Sequence, residues 1–366
     1  MHVVMISKAL VVGTYQRKLE ELARLPDVRL TAIVPPVWRD RRGVVALERA
    51  YTRGYDLRVL PIRFNGNYHL FYYRGLGPLL RRLEPDVVHV DEEPYNLATF
   101  QAMRQSCALG VPACFFTWQN LYRRYLPPFS WFERYNYLHA AYAIAGNQGA
   151  VNVLRRKGYA GPVVVIPQFG VDPDIFQPRK KFGASNTFVI GYAGGLVVEK
   201  GVDLMLQAVA GLPGEWQVRL VGEGPEWARL TLLSQQLGIA DRVAFLGRLP
   251  STEMPDFYAS LDVLVLPSRS QPNWVEQFGR VLIEAMACGV PVVGSDCGEI
   301  PHVIGKAGLV FPEGEVSVLR EQLNRLQTAP ALRGALAEQG RRRVLTHFTQ
   351  ARIAAQTLAV YQVIGN

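Results

Sequence analysis

The stretch Glu276-Gln277-Phe278-Gly279-Arg280-Val281-Leu282-Ile283-Glu284 decides how this chain is read. Two glutamates stand eight positions apart, around a Phe-Gly that opens an apolar helix from Val281 to Met286. Eight positions is a little over two helical turns, so the second carboxylate is expected near the face of the first, one layer deeper. The first glutamate belongs to the loop before the helix. Gly279 lets the backbone come close to a ligand, and the N–H groups at a helix start favour an anion. A carboxylate for sugar hydroxyls, an amide nest for a diphosphate and a second carboxylate for a ribose diol together suit a nucleotide-sugar. A lone pair of glutamates would better fit a buried amphipathic helix with one solvated and one capping carboxylate, so the flanking residues decide.

Downstream run Ala285-Met286-Ala287-Cys288-Gly289-Val290-Pro291-Val292-Val293-Gly294-Ser295-Asp296 and then Gly298-Glu299-Ile300-Pro301. Here the chain closely resembles the retaining glycosyltransferases of family 4. Their pattern E-x-F-G-x-x-x-x-E-A-M-A-x-G-x-P-V-V is matched at every fixed position. Other segments resemble that family in order. Ile190-Gly191-Tyr192-Ala193-Gly194-Gly195-Leu196 with Glu199-Lys200-Gly201 looks like the start of its donor domain. Leu220-Val221-Gly222-Glu223-Gly224-Pro225 looks like the second strand and turn. Val243-Ala244-Phe245-Leu246-Gly247-Arg248 and Val263-Leu264-Val265-Leu266-Pro267-Ser268 look like later strands. The match is dense from about residue 165 to 315 and patchier before it.

The resemblance implies an α/β chain of the GT-B type. Two Rossmann-like, doubly wound domains would face a central cleft, and a C-terminal helix would cross back to the first. Glu276 would hold hydroxyls of the transferred sugar and favour an oxocarbenium-like centre. Glu284 would bind the ribose. Lys200 would meet the diphosphate as a mobile point charge. The loop residues Gly194, Phe278, Gly279, Arg280 and Val281 would line the donor, and Leu249 would lie against the base. The family shows no metal-binding DxD motif, and Asp91-Glu92-Glu93 stands in the other domain, so neither a metal nor a cofactor is expected. The leaving phosphate, rather than a side chain, would take the acceptor proton.

Three positions depart from the family. An arginine usually stands five residues before the lysine; here that position is Gly195. Arg280, Arg248 and, more weakly, Arg269 are candidates to replace its charge, or the amide nest carries the diphosphate with Lys200. A histidine usually stands at Gln119, in Phe115-Phe116-Thr117-Trp118-Gln119-Asn120. Gln119 and Asn120 can bond sugar hydroxyls on the acceptor side, but glutamine does not titrate. Of a Gly-Gly pair after the first strand only Gly13 remains, which could still bring backbone N–H groups to the donor phosphates. His89, within the strand Val87–Val90, reads as a structural residue.

Composition permits this reading. At 366 residues the chain is too long for one ordinary core, and it is 49% apolar with mean hydropathy near zero. No run of eighteen apolar residues suggests a membrane-spanning helix. Met1–Ser7 reads as a strand rather than a signal peptide. Cys107, Cys114, Cys288 and Cys297 have no metal or disulfide spacing and read as thiols in a reducing cytoplasm. Residues 1–180 hold 24 Lys and Arg against 14 Asp and Glu, a net of +10; the rest hold 16 against 17. A basic first half can attract nucleic acid, anionic lipid or an acidic acceptor. No nucleic-acid module is legible.

Short apolar runs alternating with helical patterns argue for parallel sheets throughout. Strands are expected at 3–6, 30–34, 87–90, 113–116, 143–145 and 163–166, then at 188–193, 217–222, 243–246, 263–266 and 291–294. Pro173, Pro178 and the polar run 180–186 suit a linker, giving domains 1–180 and 181–349, with a helix over 350–366 completing the first. Residues 121–139 read LYRRYLPPFSWFERYNYLH. Interleaved rings and arginines suit a helix packed by its aromatics, a bilayer interface, or a stacking surface for an acceptor sugar.

The sequence is therefore read as a cytoplasmic, metal-independent retaining hexosyltransferase, with membrane association as a further option. Its donor would be a UDP- or GDP-sugar and its acceptor a saccharide or lipid-linked saccharide, in polysaccharide biosynthesis. Alternatives are a GT-B epimerase or phosphorylase, or an inactive nucleotide-sugar-binding subunit. A dinucleotide-dependent dehydrogenase finds only Gly222-Glu223-Gly224, which lacks the third glycine.

Overall fold

Apolar, β-branched runs separated by helices fold as parallel strands, because each crossover helix returns the chain to the same end of the sheet. The computed structural model describes residues 1–40, 43–179 and 187–365. It divides into two units, residues 1–169 with the C-terminal stretch from Gln350, and Gly170–Thr349.

The first unit contains β1 (His2–Ile6), β2 (Arg29–Val34), the antiparallel pair β3 (Val37–Asp40) and β4 (Gly43–Ala46), and β5 (Asp56–Val59). The antiparallel pair β6 (Ile62–Arg63) and β7 (Tyr72–Tyr73) follows, then β8 (Val87–Val90), β9 (Ala113–Thr117), β10 (Tyr142–Ala145) and β11 (Val163–Val165). Its helices are α1 (Arg17–Ala23), α2 (Leu76–Leu83), α3 (Leu97–Leu109), α4 (Phe129–His139), α5 (Gln148–Arg156) and the C-terminal helix Gln350–Gly365. Seven parallel strands run in the order β11-β10-β9-β8-β1-β2-β5.

The period of two along β1 builds two cores. Val4 and Ile6 face Leu80, Met103 and Leu154 of α2, α3 and α5. Val3 and Met5 face Leu19 and Leu22 of α1 together with Ile353, Leu358 and Tyr361 of the C-terminal helix. That helix thus shares one sheet face with α1, and its Tyr361 hydroxyl pairs with His89 Nδ1 at 2.6 Å. Burial pushes the His89 imidazole down to about 4, keeping it neutral as a structural tie.

The second unit contains β12 (Phe188–Ala193), β13 (Trp216–Val221), β14 (Val243–Phe245), β15 (Val263–Leu266), β16 (Val292–Ser295) and β17 (Leu309–Phe311), parallel in the order β14-β13-β12-β15-β16-β17. Its helices are α6 (Val202–Ala210), α7 (Trp227–Gln236), α8 (Met254–Ala259), α9 (Arg280–Ala287), α10 (Ile300–Ile304), α11 (Val316–Thr328) and α12 (Pro330–His347). Both sheets wind outward one way and then reverse, between β1 and β8 in one unit and between β12 and β15 in the other. In such doubly wound sheets ligands bind outside the carboxyl ends of the strands at the reversal.

The units divide at Phe169, earlier than the boundary near 180 read from the prolines. Val171 forms a parallel bridge with Thr349, and its N–H donates to Phe348 O at 2.9 Å, which ties this segment to the second unit. The expected linker over 180–186 lies outside the described residues.

Candidate active site

The second unit gathers its charged groups where its sheet reverses. β12 runs into Gly194-Gly195, and the adjacent β15 runs into Pro267-Ser268. Gly201 stands at a positive φ of 64°, and a Cβ there would lie 2.0 Å from Pro267 O. Only glycine allows that approach, which seats the turn Val198–Lys200 directly on the exit of β15. Lys200 Nζ consequently reaches Glu276 Oε2 at 2.5 Å, although 76 positions separate them. Ser268 Oγ donates to the same oxygen at 2.9 Å. The Trp274 ring lies 4.9 Å from the ammonium. Glu276 is buried, and its backbone carbonyl accepts from Glu299 N at 3.1 Å, just after Gly298.

Glu284 sits on α9 with different partners. Tyr258 on α8 donates its hydroxyl to Glu284 Oε2 at 2.7 Å, and Arg280 Nε lies 3.0 Å from Oε1. Burial first, and the Glu284 charge second, push the Tyr258 hydroxyl well up, so it stays a neutral donor. Neither glutamate of the motif is a solvated helix carboxylate, since both are buried. Gly279 precedes α9 at a φ of 75°, and no side chain caps the helix. Phe278 packs edge-on against Phe348 at 5.8 Å and serves as core. If Glu284 holds a ribose diol, Glu284→Ala costs roughly 1–3 kcal/mol of nucleotide affinity in calorimetry. Undiminished affinity would remove the ribose role.

Among the candidate cations, Arg280 is drawn to Glu284. Arg269 is held by Asp203 at 3.2 Å and by Val198 O at 2.9 Å. Arg248 is exposed, and its side chain has no ion-pair or hydrogen-bond partner among the described residues. Leu249 beside it is half-buried. Gly195 lies outside the positive-φ region, and a Cβ there would meet nothing nearer than 4.0 Å.

The remaining expected residues belong to the first unit. Gly13 does not offer its N–H to a phosphate: it donates to Glu48 Oε2 at 2.7 Å, and that carboxylate would repel an anion. Gln119 is buried; its Oε1 accepts from Lys157 Nζ at 3.1 Å, and its Nε2 faces Tyr125 Oη at 3.3 Å. Lys157 in turn pairs with Glu133 at 2.5 Å. Asn120 lies against Gly149, where a Cβ would approach Asn120 Cβ to 3.1 Å.

The run Asp91-Glu92-Glu93 directly follows β8, with each carboxylate engaged. Asp91 accepts from Ser7 and Gln168, both at 2.9 Å, and Glu92 pairs with Lys8. Glu93 accepts from Thr117 Oγ1 at 2.6 Å and Trp118 N at 2.8 Å, while burial pushes it up to about 7. Among the described residues, no group of three or more His, Cys, Asp or Glu could hold a metal ion.

Sequence reasoning missed the roles of Ser268, Trp274 and Tyr258. Ser268 was findable, because it follows a strand at the reversal point. The other two lie in a loop and on a short helix, with no local signal.

Residues 19–175 match the family described as Glycosyltransferase Family 4, and residues 174–343 match Glycosyl transferases group 1. The chain is 36% identical over 208 residues to the MMP alpha-(1->4)-mannosyltransferase of Mycolicibacterium hassiacum, covering 54% of this chain and 47% of that protein. It is 32% identical over 187 residues to the GDP-mannose-dependent alpha-(1-6)-phosphatidylinositol monomannoside mannosyltransferase of Mycolicibacterium smegmatis, covering 47% of this chain and 49% of that one. The chain thus spans about half the length of these curated relatives. A solved UDP complex of HepE from Anabaena aligns over 99% of this chain and 100% of that chain, with a TM-score of 0.75 and 19% identity. The fold is GT-B.

Proposed function

Because the chain belongs to the glycosyltransferases of family 4 with their group 1 domain, we propose that it is a retaining hexosyltransferase using a nucleoside-diphosphate sugar. The observation that carries this reading is the buried Glu276 meeting Lys200 and Ser268 at the carboxyl ends of β12 and β15. The Lys200 ammonium screens the diphosphate as it leaves. Glu276 accepts hydroxyls of the transferred sugar, and its charge favours positive character at the anomeric carbon. The bond from that carbon to the leaving phosphate oxygen breaks, and the bond to the acceptor oxygen forms on the same face. The acceptor proton passes to the leaving phosphate, so no side-chain base is required. Glu284, held by Tyr258, accepts from the ribose hydroxyls. Arg248 supplies the second phosphate cation, and Leu249 lies against the base.

The donor base is uracil or guanine: one relative is named for GDP-mannose, and one fold neighbour was solved with UDP. The acceptor is a saccharide or lipid-linked saccharide, held on the side of Gln119 and Asn120, in a cytoplasmic step of polysaccharide assembly. An epimerase would need titrating groups beside the sugar, and Gln119 cannot titrate.

The test is a product assay with UDP- and GDP-hexoses. Retained anomeric configuration by NMR and activity that survives EDTA are expected. An inverted product, or activity lost to EDTA and restored by manganese, would overturn the mechanism. Donor binding without turnover on any acceptor would favour an inactive subunit.

A further inference from the structure

Residues 121–139 fold so that their aromatics part company. Phe132 stacks on Phe100 at 4.8 Å, Tyr135 meets the same ring edge-on at 5.0 Å, and Phe129 packs against His69 at 5.1 Å. Phe132 and Tyr135 hold α4 on α3, and Phe129 ties its start to the stretch before β7. The opposite side of α4 keeps large apolar groups outside: Trp131 is 65% exposed and Leu138 71%, with Leu126 just before the helix at 80%. Trp131, Arg134 and Leu138 fall at i, i+3 and i+7, on one helical face. Arg124 and Arg134 are exposed among them, and Arg104 on the neighbouring α3 is exposed as well.

The segment's single carboxylate, Glu133, is turned inward and paired with Lys157. No acidic side chain of the segment therefore offsets these arginines. Isolated exposed apolar residues are ordinary on protein surfaces. A tryptophan and two leucines interleaved with arginines, on a half-chain of net charge +10, are complementary to an anionic bilayer. Rings and leucines enter the headgroup boundary while guanidinium groups meet lipid phosphates. Among the described residues no helix is long and apolar enough to cross a membrane. The matching mode is lying on the surface.

We propose that the outer face of α4, with Leu126, docks this protein on an anionic lipid surface. The proposal does not depend on the transfer chemistry, because its readout is vesicle binding. Full-length protein is sedimented with vesicles of phosphatidylcholine, alone or with phosphatidylglycerol, at low and high salt. Wild type is expected to pellet with the anionic vesicles and to be released by salt, within the screening range of surface charges. Trp131→Ala/Leu138→Ala and Arg124→Glu/Arg134→Glu are each expected to lower partitioning about tenfold or more. All four side chains are exposed, so melting temperatures should match wild type and confirm folding. Wild type remaining in the supernatant at every phosphatidylglycerol content would overturn the proposal, as would equal binding by both variants. A wild-type dimer dissociated by Trp131→Ala/Leu138→Ala, without vesicle binding, would overturn it in favour of a contact between copies.

Discussion

Glu276→Gln is expected to lower transfer by about 10²–10³-fold or more while leaving nucleoside diphosphate affinity undiminished. The substitution keeps shape and an acceptor oxygen but removes a fixed charge aimed at the developing positive centre, a loss comparable in kind to that of a preorganised catalytic contact. In the proposed mechanism its partner is the sugar, so free diphosphate should not be directly affected. The geometry adds a sign. Lys200 Nζ lies 2.5 Å from Glu276 Oε2, and a diphosphate must compete with that carboxylate for the ammonium. Neutralising the carboxylate releases Lys200 to the phosphates, so the variant should bind free diphosphate at least as tightly as wild type. Calorimetry with the nucleoside diphosphate, beside turnover of the full donor, separates the two effects. Equal losses of diphosphate affinity in Glu276→Gln and Glu284→Ala would sink the division of labour between the two carboxylates.

Lys200→Ala carries the second large effect. A charge-assisted contact to phosphate is worth roughly 1.5–3 kcal/mol, so diphosphate affinity should fall about tenfold to a hundredfold. Turnover should fall further, because the leaving group loses its screening cation. Gly195 provides the control. Its φ is outside the left-handed region and a Cβ there has 4.0 Å of clearance, so Gly195→Arg should fold without strain. Placed on the Lys200→Ala background, the new guanidinium should restore part of the affinity. Arg248→Ala in the wild-type background should cost about tenfold if Arg248 supplies the second cation. Wild-type affinity in Lys200→Ala would remove the lysine from the phosphate site. An undiminished Arg248→Ala would leave the diphosphate to Lys200 and backbone groups.

Eleven of the thirteen parallel strands were legible from sequence, because an apolar run is a local property; the edge strands β5 and β17, which bury at most one residue each, were not. The helices α2, α5, α10 and α12 were not legible either, whereas a helix packed by its aromatics was one reading of the segment that holds α4. The eighteen residues of α12 bury only Leu336, Gly340 and Val344, too few positions to mark a helical face. The resemblance to family 4, carried by short runs of residue types, pointed to Glu276, Glu284 and Lys200.

What each group touches is a different matter. Lys200 and Glu276 are 76 positions apart, Tyr258 and Glu284 are 26 apart, and Gly13 and Glu48 are 35 apart. Their meetings depend on where the sheet reverses and how closely Gly201 lets one loop press on another. The sequence by itself therefore marked most of the parallel strands, and its resemblance to a family singled out Glu276, Glu284 and Lys200 as candidates. Only the tertiary structure decided that Glu276 is paired, that the Gly13 N–H is spent on a carboxylate, and that α4 turns Glu133 inward and Trp131 outward. Burial and partner choice are set by contacts between distant segments, which no local period encodes.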